Sequence, residues 1–89
     1  MNRHQLKVHS QFWPSLVSGA KPFEVRRDDR KFRVGDICVL REYDPSHGYT
    51  SAEPVERQVS YILAHEDFPN GVARGFVVLG FGSKANDPD

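Results

Sequence analysis

With Cys38 as its single cysteine, the chain can form no internal disulfide, which suits a reducing compartment. No apolar run approaches the ~20 residues a membrane span needs. The opening MNRHQLKV has no apolar core of a secretion signal, so a cytoplasmic protein is expected. Net charge is also missing, at twelve basic against twelve acidic residues. Glycine-rich phosphate loops and nucleophile elbows are absent as motifs. The four histidines (His4, His9, His47, His65) include no pair at helical zinc spacing, and there is no second cysteine to join them. No metal and no cofactor are therefore expected, and a monomer is expected.

What remains is 89 residues of ordinary globular composition, 38% hydrophobic and 27% charged. That fits one domain over residues 1–83 with a polar tail at 84–89. So small a domain buries roughly two thirds of its unfolded surface. The balanced charge is unevenly placed: residues 1–33 hold eight basic and three acidic residues, a local +5. Either these cations share one surface that meets phosphates, or the two halves of the chain neutralise each other on folding.

The hydrophobic pattern predicts five strands and one helix. HQLKV alternates, with His4, Leu6 and Val8 on one side. QFWPSLVS reads as a short helix with Ser10 as N-cap, Pro14 in the first turn and Gly19 as its left-handed terminator. Phe12, Trp13, Leu16 and Val17 would form its apolar face. PFEVRR follows as a strand, with Phe23 and Val25 as its apolar, core-facing side. ICVLREY is apolar on both faces, VERQVSYILA alternates from Val55 to Leu63, and RGFVVLGF closes the series. A helix between the first two strands lets them lie parallel, and the later connections suit antiparallel pairing. The expected fold is mostly β: a small five-stranded barrel with the helix between strands one and two. An open α+β sheet is the alternative.

Lys21, Glu24 and Arg26 form the densest group of chemistry. Glu24 and Arg26, two apart on a strand, project from one face. The trio could bind a polar ligand, the cations meeting phosphate or carbonyl oxygens and the carboxylate accepting from an amine or hydroxyl. In a dry site Lys21 could serve as a base. The plainer reading is a surface ion pair worth roughly 0–1 kcal/mol. Lys7, Arg26, Arg27, Arg30 and Lys31 are the candidate phosphate contacts, and Phe32 either stacks on a ligand or anchors its loop in the core. His4 is either a structural histidine or a group at the barrel rim. Cys38, in an apolar strand, reads as a buried thiol.

Taken together, HxLK (His4, Leu6, Lys7), GxKxFExR (Gly19, Lys21, Phe23, Glu24, Arg26) and VGDIxxLREYD (Gly35, Asp36, Leu40, Arg41, Glu42, Tyr43, Asp44), with a final GFVVL, resemble the ASCH-type domains of the PUA-like superfamily. The likeness covers residues 4–81 and points to small bacterial and phage members described as RNA-binding. It implies a barrel with a helix at one end and a cleft between them, lined by the segment that carries Lys21, Glu24 and Arg26. RNA or a nucleotide-like ligand is the implied partner. A small bacterial relative removes the acetyl group of a modified cytidine with a lysine, a threonine and a glutamate. Lys21 matches that lysine, whereas the threonine position holds Glu24. A small hydrolase or ribonuclease, with Lys21 and Glu24 as the catalytic pair, is thus the alternative. A protein-interaction module of mobile-element origin is the second.

Overall fold

The computed structural model describes residues 1–82, so the expected tail at 84–89 lies outside the described residues. The first strand, β1 (Arg3–His9), buries His4, Leu6 and Val8 and exposes the residues between them. A 3-10 turn (Ser10–Phe12) leads into α1 (Trp13–Ser18). Pro14 occupies the first turn, where its missing N–H leaves no intrahelical bond unmade. Gly19 ends the helix with φ +89° and donates its N–H to the Leu16 carbonyl at 3.2 Å. Arg57 Nη2 approaches the Leu16 and Val17 carbonyls at 3.5 and 3.4 Å, a cation where the helix dipole is negative.

Two expectations about this helix are corrected. Ser10 makes no side-chain cap, since the chain turns through a 3-10 segment before the α-helix begins. A helix of six residues has one buried row, filled by Trp13 and Leu16, so Phe12 and Val17 stay exposed.

Four longer strands and one very short one complete a curled sheet of six strands, one more than expected. They are β2 (Phe23–Arg27), β3 (Ile37–Asp44), β4 (Gly48–Tyr49), β5 (Val55–Ala64) and β6 (Phe76–Phe81). The order is β1-β3-β5-β6-β2, with β4 on β3. The parallel neighbours are β1 and β3, paired from Arg3–Ile37 to His9–Tyr43. The parallel arrangement that the helix would allow the first two strands does not form: β1 and β2 end up at the two ends of the order. A crossover can return a strand to any parallel partner, so the helix alone does not name it.

The sheet curls at β5. Its first half pairs with β3 (Val55–Gln58) and its second with β6 (Val59–Ala64), with a bulge between Val59 and Tyr61. A bulge bends its strand and raises the local twist. It also breaks the expected alternation, leaving Val59 buried and Tyr61 exposed. Inside the curl lie Leu6, Val8, Trp13, Leu16, Phe32, Cys38, Leu40, Val59, Val77, Leu79 and Phe81. Phe32 is thus a core anchor, its ring edge-on to His4 at 4.7 Å. Burial pushes the Cys38 thiol up to about 11, which makes it a packing residue and no nucleophile.

Asp36 pins the start of this architecture. It lies just after Gly35, whose φ of +99° suits a residue without a Cβ. The Asp36 carboxylate, 2% exposed, accepts the backbone N–H groups of Asn2 (Oδ1, 3.0 Å) and Arg33 (Oδ2, 3.0 Å). His4 Nε2 stands 2.8 Å from Oδ2. Burial by itself would raise its pKa. The bonds from Asn2, His4 and Arg33 outweigh that and hold it at about 2. Because Asp36 is ionised, Nε2 of His4 carries the hydrogen. Three donors, from Asn2 just before β1, His4 in it and Arg33 in the β2–β3 loop, therefore converge on one anion, which fixes β1 beside β3.

Asp36→Asn should cost about 2 kcal/mol at neutral pH, measured by urea unfolding, because the amide offers one acceptor where the carboxylate offers two. The carboxylate's folded pKa lies below its unfolded value of 3.8. Its contribution is then complete well above that value and fades as pH falls through about 2, so the wild-type advantage should shrink to about half by roughly pH 3.

Candidate functional site

No backbone ladder joins β1 to β2, the two ends of the strand order. Arginine side chains bridge the gap instead. Arg26 Nη1 donates to the Lys7 carbonyl at 2.9 Å, and Arg30 Nη1 donates to the Gln5 carbonyl at 2.6 Å. Both carbonyls belong to the β1 edge, so two long side chains span a seam that a paired strand would otherwise close.

A cleft of about 290 Å³ opens at this seam, lined by Val8, His9, Phe12, Lys21, Glu24, Val25 and Arg26. The volume is near the lower bound of small-molecule sites, about 300 Å³. Its walls come from the end of β1, the 3-10 turn, the segment after α1, and β2. The apolar lining (Val8, Phe12, Val25) faces a cluster of three charges.

Glu24 is the centre of that cluster. It is 5% exposed, although the alternation of PFEVRR predicts that Phe23 and Val25 face the core. The structure reverses this: Phe23 and Val25 are 41% and 55% exposed, and Glu24 and Arg26 point inward, beside Leu79 and Val77 of β6. A buried carboxylate is stable there because it is paired on both sides. Lys21 Nζ bonds Glu24 Oε1, and Arg26 Nη1 stands 3.7 Å from Oε2. Lys21 Nζ also donates to the Phe23 carbonyl at 3.0 Å. It lies 5.4 and 5.1 Å from the ring centroids of Phe12 and Phe23. Carboxylate, carbonyl and two ring faces are all partners of an ammonium. The site is a net-positive trio around one carboxylate, bordered by two exposed aromatic rings.

The structure thus brings together Lys21, Glu24 and Arg26. Arg30 reaches the same seam further along β1. Arg27 does not enter it; its guanidinium packs over the Phe76 ring at 4.8 Å on the outer face. Lys31 is exposed in the loop after β2, with φ +51°. Lys7 gives its carbonyl to the seam, but its ammonium lies over the Tyr43 ring at 4.4 Å on the outer face of β1 and β3. Glu56 and Glu66, the further carboxylates a hydrolase would draw on, are not in the lining: Glu56 pairs with Arg3, and Glu66 sits in the 3-10 turn His65–Asp67. Phe12 and His9, which also line the cleft, were not among the expected site residues. Phe12 shares the helical phase of Trp13 and Leu16 and so reads as core, and His9 carries no spacing signal.

Arg26→Ala removes a donor from a β1 carbonyl and one cation from a buried carboxylate. It should destabilise the fold by about 1–3 kcal/mol in urea unfolding, against under about 1 kcal/mol for an exposed ion pair.

A family model described as a domain of unknown function (DUF3850) matches residues 3–81. A protein of Escherichia phage P2, called "Uncharacterized 12.9 kDa protein in GpA 3'region", is 26% identical over 65 residues, which is 73% of this chain. The matched part spans 58% of the phage protein's length. Among the described residues no helix is long and apolar enough to cross a membrane. With all six strands and the seam inside the matched region, the chain belongs to the family of that domain, DUF3850.

Proposed function

We propose that this domain is a PUA-like barrel of the ASCH type that binds RNA or a nucleotide-like ligand in the seam cleft. The observation that carries the proposal is the convergence of Lys21 and Arg26 on buried Glu24 beneath the exposed Phe12 and Phe23 rings. Each group has a use for such a ligand. The two cations meet phosphate oxygens. The carboxylate accepts from an exocyclic amine or a ribose hydroxyl. The rings offer stacking faces to an unpaired base. Binding is favoured over hydrolysis because Glu24 is the one carboxylate in the cleft lining.

The ligand reaches a small number of cations, so affinity should be modest and salt-dependent. For three or four phosphates on a single strand, binding should fall roughly 20- to 50-fold between about 50 and 200 mM salt. Lys21→Ala and Arg26→Ala should each weaken it at least about five-fold at low salt. Fluorescence anisotropy with single-stranded, hairpin and transfer RNA measures both. A wild-type protein that binds none of them at low salt would falsify the proposal.

A further inference from the structure

The outer face of β1, β3 and β4 carries a second cluster that the cleft does not use. Tyr43 and Tyr49 are direct cross-strand partners, with ring centroids 5.2 Å apart at 84°. Lys7 Nζ lies 4.4 Å from the Tyr43 ring centroid, and the Arg41 guanidinium lies 4.1 Å from that of Tyr49. Lys7 and Arg41 are themselves register partners across β1 and β3. Tyr49 is 45% exposed. Two aromatic rings and two cations thus share one sheet face; the carboxylate on that face, Glu56 opposite Val39, is paired with Arg3. The nearby Glu42 is on the opposite face and accepts from Thr50 Oγ1 at 2.9 Å, while Asp44 is occupied by the turn, accepting the Ser46 N–H at 2.7 Å.

This face adjoins the cleft. His9, a cleft-lining residue, is the register partner of Tyr43, and Lys7 supplies both the carbonyl that holds Arg26 and the ammonium over Tyr43. Resting on the cleft reading above, we propose that Lys7, Arg41, Tyr43 and Tyr49 form a second binding platform for single-stranded nucleic acid. A strand leaving the cleft past His9 stacks a base on Tyr49 and sets its phosphates against Lys7 and Arg41. Stacking on aromatic side chains beside backbone-tracking cations is the usual chemistry of sequence-tolerant single-strand sites. The charge is complementary to a polyanion, and the exposed ring fits an unpaired base better than a duplex, whose bases are already stacked.

The test is anisotropy with a labelled oligouridylate of about twelve nucleotides, long enough to span both positions. Tyr49→Ala should weaken binding about ten-fold, and Tyr49→Phe, which keeps the ring, should bind like wild type. Arg41→Ala should lower the salt slope by about 0.7, the value for one phosphate contact on a single strand. Circular dichroism melting shows that each variant folds; if Tyr49→Ala does not, the Arg41→Ala salt slope carries the comparison, and an unchanged slope overturns the platform. Loss in Lys21→Ala with none in Tyr49→Ala overturns the platform and keeps the cleft. Loss in Tyr49→Ala with none in Lys21→Ala supports the platform and removes the cleft. No wild-type binding overturns both.

Discussion

A carboxylate buried against a small curled sheet must find positive partners or lose its charge, and Glu24 finds two. Much of the molecule's shape around the cleft follows from that pairing. Lys21 is drawn across the start of β2, and Arg26 is turned inward, where the same guanidinium nitrogen reaches the Lys7 carbonyl on the far edge. The charged trio therefore joins the two ends of a sheet that has no ladder between them. The same arrangement leaves a hollow: side chains span the seam where a backbone would have filled it. Lys21, Arg26 and the Phe12 ring then line the hollow around the buried Glu24 carboxylate. Closure of the fold and chemistry of the site are two aspects of one interaction.

The other end of β1 is held by a different ion. Asp36 gathers the Asn2 and Arg33 backbone N–H groups and the His4 ring, so the strand is anchored against β3 before it reaches the seam. Between these two anchors, Leu6 and Val8 pack into the core. The edge carbonyls of Gln5 and Lys7 are left toward the arginines. The outward residues of the strand, Lys7 and His9, face the Tyr43–Tyr49 pair and the cleft respectively. One short strand thus contributes to core, seam and outer face at once.

The elements were legible in the sequence because they rest on local signals. VERQVSYILA is β5 to the residue, and Gly19 ends the helix as its lack of a Cβ allows. The pairing of Glu24 with Arg26 was legible too, since a two-residue step fixes a shared face, and Lys21 stands just before that strand. Which face turns inward was not. Alternation places Phe23 with Val25 and Glu24 with Arg26, but the choice between the pairs depends on the Lys21 ammonium and on the Lys7 carbonyl across the seam. The β1–β3 partnership, the bulge at Val59/Tyr61 and the two-residue β4 depend on long-range closure and leave no periodic trace. Asp36 looked like part of a turn because its three donors come from residues up to 34 positions away. The Tyr43–Tyr49 pair was hidden by the hairpin that β4 makes.

The central claim is that the seam between β1 and β2 is where a ligand enters. The most direct measurement is an amide-resolved NMR titration of the full chain with single-stranded RNA. Shift changes should saturate together and cluster on both sides of the seam, at residues 7–9 of β1, at Phe12, and at residues 21–26. Saturable binding whose changes fall on the outer face of β5 and β6, with residues 21–26 unmoved, would contradict the account.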